Sequence, residues 1–184
     1  MVEYGLHRAK ALDCDRVQTI PEQGTERFYE RCGLSPHLQI GTYLLPPEPG
    51  GLPADWKRKA SVPAQVVELF PMRLGWVQGC SKHMWEIANR GVRIAGSQVR
   101  HPCAGRSDDQ GYVQLRYLGT ENEAMALAWA SGNIKLAELT RVARRLAQSL
   151  PVDSLSLTLL QREKAQLEPQ AELVDEQTVW SVDL

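Results

Sequence analysis

The chain has 184 residues, 43% hydrophobic and 23% charged, with 21 basic and 22 acidic side chains for a net charge of −1. That length suffices for one large or two small domains with a real core, and the near-neutral balance argues against a nucleic-acid footprint. No apolar run approaches the ~20 residues of a membrane span, and "MVEYGLHRAK" lacks the apolar stretch of a signal peptide.

In chain order, "VEYGLHRAKALDC" predicts a helix with Leu6, Ala9 and Leu12 on one face, and "RVQTI" predicts a short strand. "EQGTERFYERCG" predicts a helix ended by Gly33, and "HLQIGTYLL" a strand. The next stretch carries Pro46, Pro47, Pro49, Pro53 and Pro63 and predicts a semi-rigid linker over residues 46–63. Within it, Lys57-Arg58-Lys59 is expected as a solvated charge run. "AQVVELFPMRL" is then a strand candidate, and "CSKHMWEIANRG" a helix that Ser81 can cap and Gly91 stops. "VRIAGSQVRH" is strand-like, "HPCAGRSDDQG" a turn-rich loop, and "YVQLRYL" an alternating strand.

"GTEN" reads as a hairpin turn into "EAMALAWA", a strand for which a helix is the rival assignment. "NIKLAELTRVARRLAQSL" is the strongest helix signal, with Asn133 as a plausible N-cap and Leu136, Leu139, Val142, Ala143 and Leu146 in one stripe. "DSLSLTLL" alternates as a strand, "REKAQLE" is a short helix, and "AELVDEQTVWSVDL" is expected as a terminal hairpin. Residues 2–45 read helix, strand, helix, strand and residues 133–184 read helix, strand, short helix, hairpin, a weak repeat with little residue identity.

Cys14, Cys32, Cys80 and Cys103 show no CxxC spacing, which argues against a zinc or redox motif and points to a cytoplasmic protein with free thiols. His101 and Cys103 alone make a poor metal site, so no metal is expected. Asp108-Asp109 fits a solvated turn. Met84, Ile87 and Ala88 fit a helix core face with His83 exposed, against the rival reading in which His83, Met84 and Trp85 line a substrate pocket. Glu68 is a remote general-base candidate. Trp76, Trp129 and Trp180 are expected to fill the core of the second half.

"ERFYERCGLSP", together with the preceding "LHRAKALDCDRVQTIP", resembles the late motif of the GCN5-related N-acetyltransferase (GNAT) superfamily over residues 6–45. The second half is similar in element order, ending in "VWSVDL", to a degenerate second GNAT domain of the tandem type. The resemblance implies an α/β fold with a mixed sheet and an incomplete first copy. The division it implies is residues 1–45 as the C-terminal part of one GNAT domain, 46–63 as linker and 64–184 as a GNAT-like domain. About three strands and one or two helices of the first copy are expected upstream of Val2.

In that family acetyl-CoA lies in a cleft where two parallel strands splay apart, with its pyrophosphate on N–H groups at the start of a helix. By resemblance, Tyr29 is the general acid for the departing thiolate, and Phe28 packs near the pantetheine. Ser131, Gly132 and Asn133 stand where the cofactor loop would be, although the family's Q/R-x-x-G-x-G/A is absent there. The implied activity is acetyl transfer from acetyl-CoA, as substrate, to a small-molecule amine. The alternative is a non-catalytic ligand-binding or assembly module. An open sheet edge predicts a homodimer, with neither nucleic acid nor membrane as partner.

Overall fold

A computed structural model describes residues 2–75, 80–94, 97–117, 122–167 and 169–184. The chain divides into two compact units, residues 1–40 with 176–184, and residues 41–175. Trp76, Ala95-Gly96 and most of the "GTEN" turn lie outside the described residues.

The smaller unit contains helix α1 (Val2–Ala11), strand β1 (Arg16–Thr19), helix α2 (Glu26–Arg31), the first half of β2 (Ser35–Leu45) and most of β11 (Glu172–Asp183). β11 is one strand where a hairpin was expected. Its midpoint, Asp175-Glu176, has no glycine or asparagine to take up the positive φ that a tight hairpin turn requires. β11 pairs antiparallel with β1, from Arg16 opposite Asp183 to Thr19 opposite Trp180. Trp180 is buried, but in this unit rather than in the core of the second half. The Arg16 guanidinium donates to Asp183 Oδ1 at 2.6 Å.

Gly33 closes α2 with φ +84. Its N–H donates to the Glu30 carbonyl and the Leu34 N–H to the Tyr29 carbonyl, the paired bonds of a Schellman ending. This turn sends the chain directly into β2.

The larger unit holds β3 (Trp56–Lys59), α3 (Ala64–Leu69), β4 (Met72–Leu74), α4 (Ser81–Arg90), β5 (Val92–Ile94), β6 (Ser97–Val99), β7 (Cys103–Arg106), β8 (Gly111–Tyr117), β9 (Glu123–Ala130), α5 (Leu136–Ala147), β10 (Ser154–Leu160) and a 3-10 helix over Gln161–Gln166. Its mixed sheet runs β2-β10-β9-β8-β7-β3, with β4 also on β9. β9 and β10 are parallel, while β7, β8 and β9 are joined antiparallel.

β9 settles the helix–strand ambiguity of "EAMALAWA" by its two faces. Ala124, Ala126, Ala128 and Ala130 join one buried cluster with the stripe of α5. Leu127 and Trp129 join a second cluster with Val66, Met72 and Met84, from α3, β4 and α4. The alanines let α5 approach the sheet closely, and the period of two is that of a strand buried on both sides.

Other elements differ from the sequence reading. "AQVVELFPMRL" is a helix and a short strand, not one strand. Pro63 enters α3 with φ −64, and Phe70, ahead of Pro71, takes φ −120 and ψ 141. A residue before proline is pushed out of the helical region, so Pro71 sets the break. The expected loop after Pro102 contains β7, whose Cys103 and Ala104 are buried. Ser81 does not cap α4; Cys80 precedes the helix, and the Ser81 hydroxyl accepts from Trp129 Nε1 at 2.7 Å. Lys135, not Asn133, is the N-cap of α5, because buried Ile134 has already turned inward.

Residues 46–63, expected as a linker, lie within the larger unit and contribute β3 to its sheet. Trp56 is buried and donates through Nε1 to Glu138 Oε1 at 2.8 Å. Arg144 donates to the Pro46 carbonyl, and Arg145 to that of Gly51. Lys57, Arg58 and Lys59 are exposed, as expected of a charge run, and they lie on the edge strand β3.

Candidate functional site

The residues that the resemblance singles out fall in two places, one in each compact unit. In the smaller, α2 presents Phe28 and Tyr29 side by side. Their ring centroids are 5.3 Å apart and edge-to-face. α2 buries no residue completely: Phe28 is 52% exposed and Tyr29 is half-buried. Among the described residues the Tyr29 phenol has no hydrogen-bond partner. An aromatic pair used only for packing would be inside, whereas this one faces outward with a free O–H.

In the larger unit the relevant strands are β9 and β10. They pair in parallel only at their starts, where Ser154, Leu155 and Ser156 face Glu123, Ala124 and Met125. Further along, the chain's own residues 71–75 lie between them. β4 pairs antiparallel with β9, Met72 opposite Trp129 and Leu74 opposite Ala128. The Ala130 N–H donates to the Pro71 carbonyl at 3.3 Å, and the Gly75 N–H donates to the Thr158 carbonyl of β10 at 2.9 Å. Met72 and Leu74 are 5% and 1% exposed. Arg73 reaches across the mouth, with one nitrogen 2.9 Å from Glu163 Oε1 and another 3.4 Å from the Ile134 carbonyl.

This is the gap between parallel strands in which the GNAT resemblance would lay acetyl-CoA. A protein strand now supplies the backbone groups that β9 would otherwise offer a ligand. The residues present do not fit the cofactor in this slot, because its floor is Met72 and Leu74.

Ser131, Gly132 and Asn133 stand together in the turn from β9 to α5. The Ser131 N–H donates to the Gln110 carbonyl, and the Ile134 N–H to the Ser131 carbonyl. Gly132 and Asn133 are exposed, and a side chain added at Gly132 would meet only open space. These three and the Phe28–Tyr29 pair belong to different compact units.

Of the remaining candidates, Glu68 and Trp85 help line a cavity of about 250 Å³ between α3 and α4. Glu68 is exposed on α3, Met84 and Ala88 are core, and His83 is exposed. Trp85 donates to the Val62 carbonyl at 2.8 Å, and Trp129 is fully buried. Asp108-Asp109 forms the expected turn: Asp109 has φ +57 and accepts from the Tyr112 hydroxyl at 2.6 Å. Among the described residues no group of three His, Cys, Asp or Glu side chains can hold a metal. No described helix is long and apolar enough to cross a membrane.

The fold has solved counterparts. A Pyrococcus horikoshii protein provisionally named an acetyltransferase superposes with a TM-score of 0.58 at 10% identity, over 100% of this chain and 58% of its own. A GCN5-related N-acetyltransferase from Sphaerobacter thermophilus gives 0.51 at 11%, covering 99% and 66%. A tandem GNAT protein from the clavulanic acid biosynthesis pathway, solved without acetyl-CoA, gives 0.50 at 13%, covering 98% and 67%. The chain spans about 58% of the length of the first of these. No family profile matches the chain, and no curated protein does. The mixed α/β sheet is that of the GNAT fold.

Proposed function

We propose that the chain is part of an acetyl-CoA-dependent N-acetyltransferase acting on a primary amine, with Tyr29 as general acid. The observation that supports this is the partnerless, half-buried phenol of Tyr29 beside the exposed ring of Phe28, on a helix closed by Gly33. In this reading the amine nitrogen bonds to the thioester carbonyl carbon and the carbon–sulfur bond breaks. The Tyr29 proton passes to the departing sulfur, and the amine proton passes to solvent. Phe28 packs against the apolar arm of the thioester substrate. Holding amine and thioester together supplies much of the rate.

The larger unit, residues 41–175, takes a supporting role in this reading. Ser131, Gly132 and Asn133 then serve as the turn into α5 rather than as a phosphate loop, since the slot beside them is filled. The tandem division at residues 1–45, 46–63 and 64–184 is part of the same proposal, as is a cytoplasmic location.

The filled slot favours a second reading, a non-catalytic assembly module. β3 carries Lys57, Arg58 and Lys59, a charged edge that resists pairing. In the smaller unit β1 pairs with β11 and is an edge strand, and that edge is where a homodimer would form.

Calorimetric titration of the full chain with acetyl-CoA, with CoA alone as comparison, separates the readings. Saturable micromolar binding, with acetyl transfer to an amine that falls about 10²–10⁴-fold in Tyr29→Phe, supports the enzyme. No binding at millimolar ligand, with a dimer mass by light scattering, supports the module.

A further inference from the structure

A second, polar cavity of about 300 Å³ opens in the larger unit, lined by Ser61, Asn89, Arg100, His101 and Gln114. It lies apart from the filled slot, among α4, β8, the segment leaving β3 and the segment leading into β7, and its size is at the small end of ligand pockets.

Each wall has a fixed hydrogen-bonding sense. His101 is 5% exposed, and its Nδ1 accepts the Tyr117 backbone N–H at 3.0 Å. The ring proton therefore sits on Nε2, which is a donor. Burial, then the charge of Arg116, pushes His101 below the usual imidazole range and keeps it neutral. Gln114 is 2% exposed; its Nε2 donates to Asn89 Oδ1 at 3.2 Å. That bond leaves the Asn89 amide hydrogens free to donate outward. Gln114 Oε1 is buried without a partner. An orphaned acceptor of this kind costs about 1–3 kcal/mol and calls for a donor. Arg100 is exposed at the rim and presents a guanidinium fork. No carboxylate lines the cavity among the described residues, and Arg116 adds positive potential.

The walls thus offer donors with net positive charge, plus one buried acceptor. We propose that this cavity binds a small carboxylate that carries its own hydrogen-bond donor, of the α-hydroxy or α-amino acid class. The carboxylate meets Arg100, with His101 and Asn89 donating, and the ligand's O–H or N–H answers Gln114 Oε1. A bare anion such as phosphate or acetate satisfies the donors but leaves that oxygen orphaned. The proposal is independent of Tyr29 and of acetyl transfer.

The test is a thermal-shift and heteronuclear NMR titration of the full chain with L-serine and with lactate, against acetate and inorganic phosphate. Saturable binding of serine or lactate, at least about tenfold tighter than acetate, is expected. Arg100→Ala, an exposed change, should abolish binding. Gln114→Leu, which removes the orphaned oxygen at the cost of the single bond to Asn89, should erase the preference over acetate. No saturable binding by either acid at millimolar concentration overturns the proposal, and so does binding that both variants leave intact.

Discussion

The Gly75 N–H donates to the Thr158 carbonyl at 2.9 Å, and that bond fastens residues 71–75 to β10 while β4 pairs with β9. Gly75 holds φ +132. A Cβ there would sit 2.9 Å from Leu127 Cδ2 and from Met72 Sδ. Backbone strain and crowding therefore act together at one residue. Gly75→Ala should destabilise the chain by about 1–3 kcal/mol, read as a lower midpoint in urea. An unchanged midpoint would mean that the segment moves freely in the slot.

Glu48 joins the proline-rich stretch to α5. It accepts from Arg144 NH1 at 3.3 Å and from Arg145 NH2 at 3.1 Å. Arg144 is 7% exposed, so its charge is poorly reached by water. Glu48→Ala removes the counter-charge and should cost about 1.5–3 kcal/mol. The discriminating comparison is Arg145→Ala, whose side chain is better solvated and whose loss should cost less. Equal costs would show that the pair with Arg144 contributes nothing special.

What was legible in the sequence followed from local chemistry. Gly33 announced the end of α2, and the period of α5 announced its buried stripe. Both are decided within a few residues. The GNAT fold was legible from the resemblance around α2, whereas β3, α3 and β7 read as linker, strand and loop. The plug was not legible, because β4 is three residues long and owes its strand character to β9 and β10, more than fifty residues away. "VVELF" has strand-forming residues, yet Pro63 and Pro71 bracket a single helical segment, and tertiary burial of Val66 favours it. β11 carries apolar residues, Leu173-Val174 and Val179-Trp180, on either side of a polar middle, a pattern that one strand also shows when only its second part is covered. The partner of Gln114 and the tautomer of His101 depend on neighbours that no sequence spacing encodes.

Cys103 gives a chemical test of the core at β7. Burial pushes its thiol up to about 12, opposed only by the charge of Lys59. The thiolate is the reactive form, so Cys103 should resist a thiol reagent at pH 8 while exposed Cys14 reacts. The linkage sign follows. An unfolded thiol ionises near 9.0 while the folded one stays protonated, so the folded state binds more protons between 9.0 and about 12. Stability from this group is complete below pH 9.0 and declines as pH rises through that window. Labelling of Cys103 as fast as Cys14 in the native chain would contradict the buried assignment.

His101 moves stability in the opposite direction on the acid side. Its folded value lies below the ordinary 6.5, first from burial and then from Arg116. The unfolded chain therefore takes up this proton before the folded one does. Stability from His101 is fully present above pH 6.5 and is lost as pH falls through the folded value. Protonation puts a charge beside Arg116 and removes the acceptor that holds the Tyr117 N–H. Imidazole NMR resonances should show His101 titrating below the ordinary 6.5, and His101→Gln should flatten the acid limb of the stability profile. A His101 titration at or above 6.5 would show that the ring is solvated and that Tyr117 is held some other way.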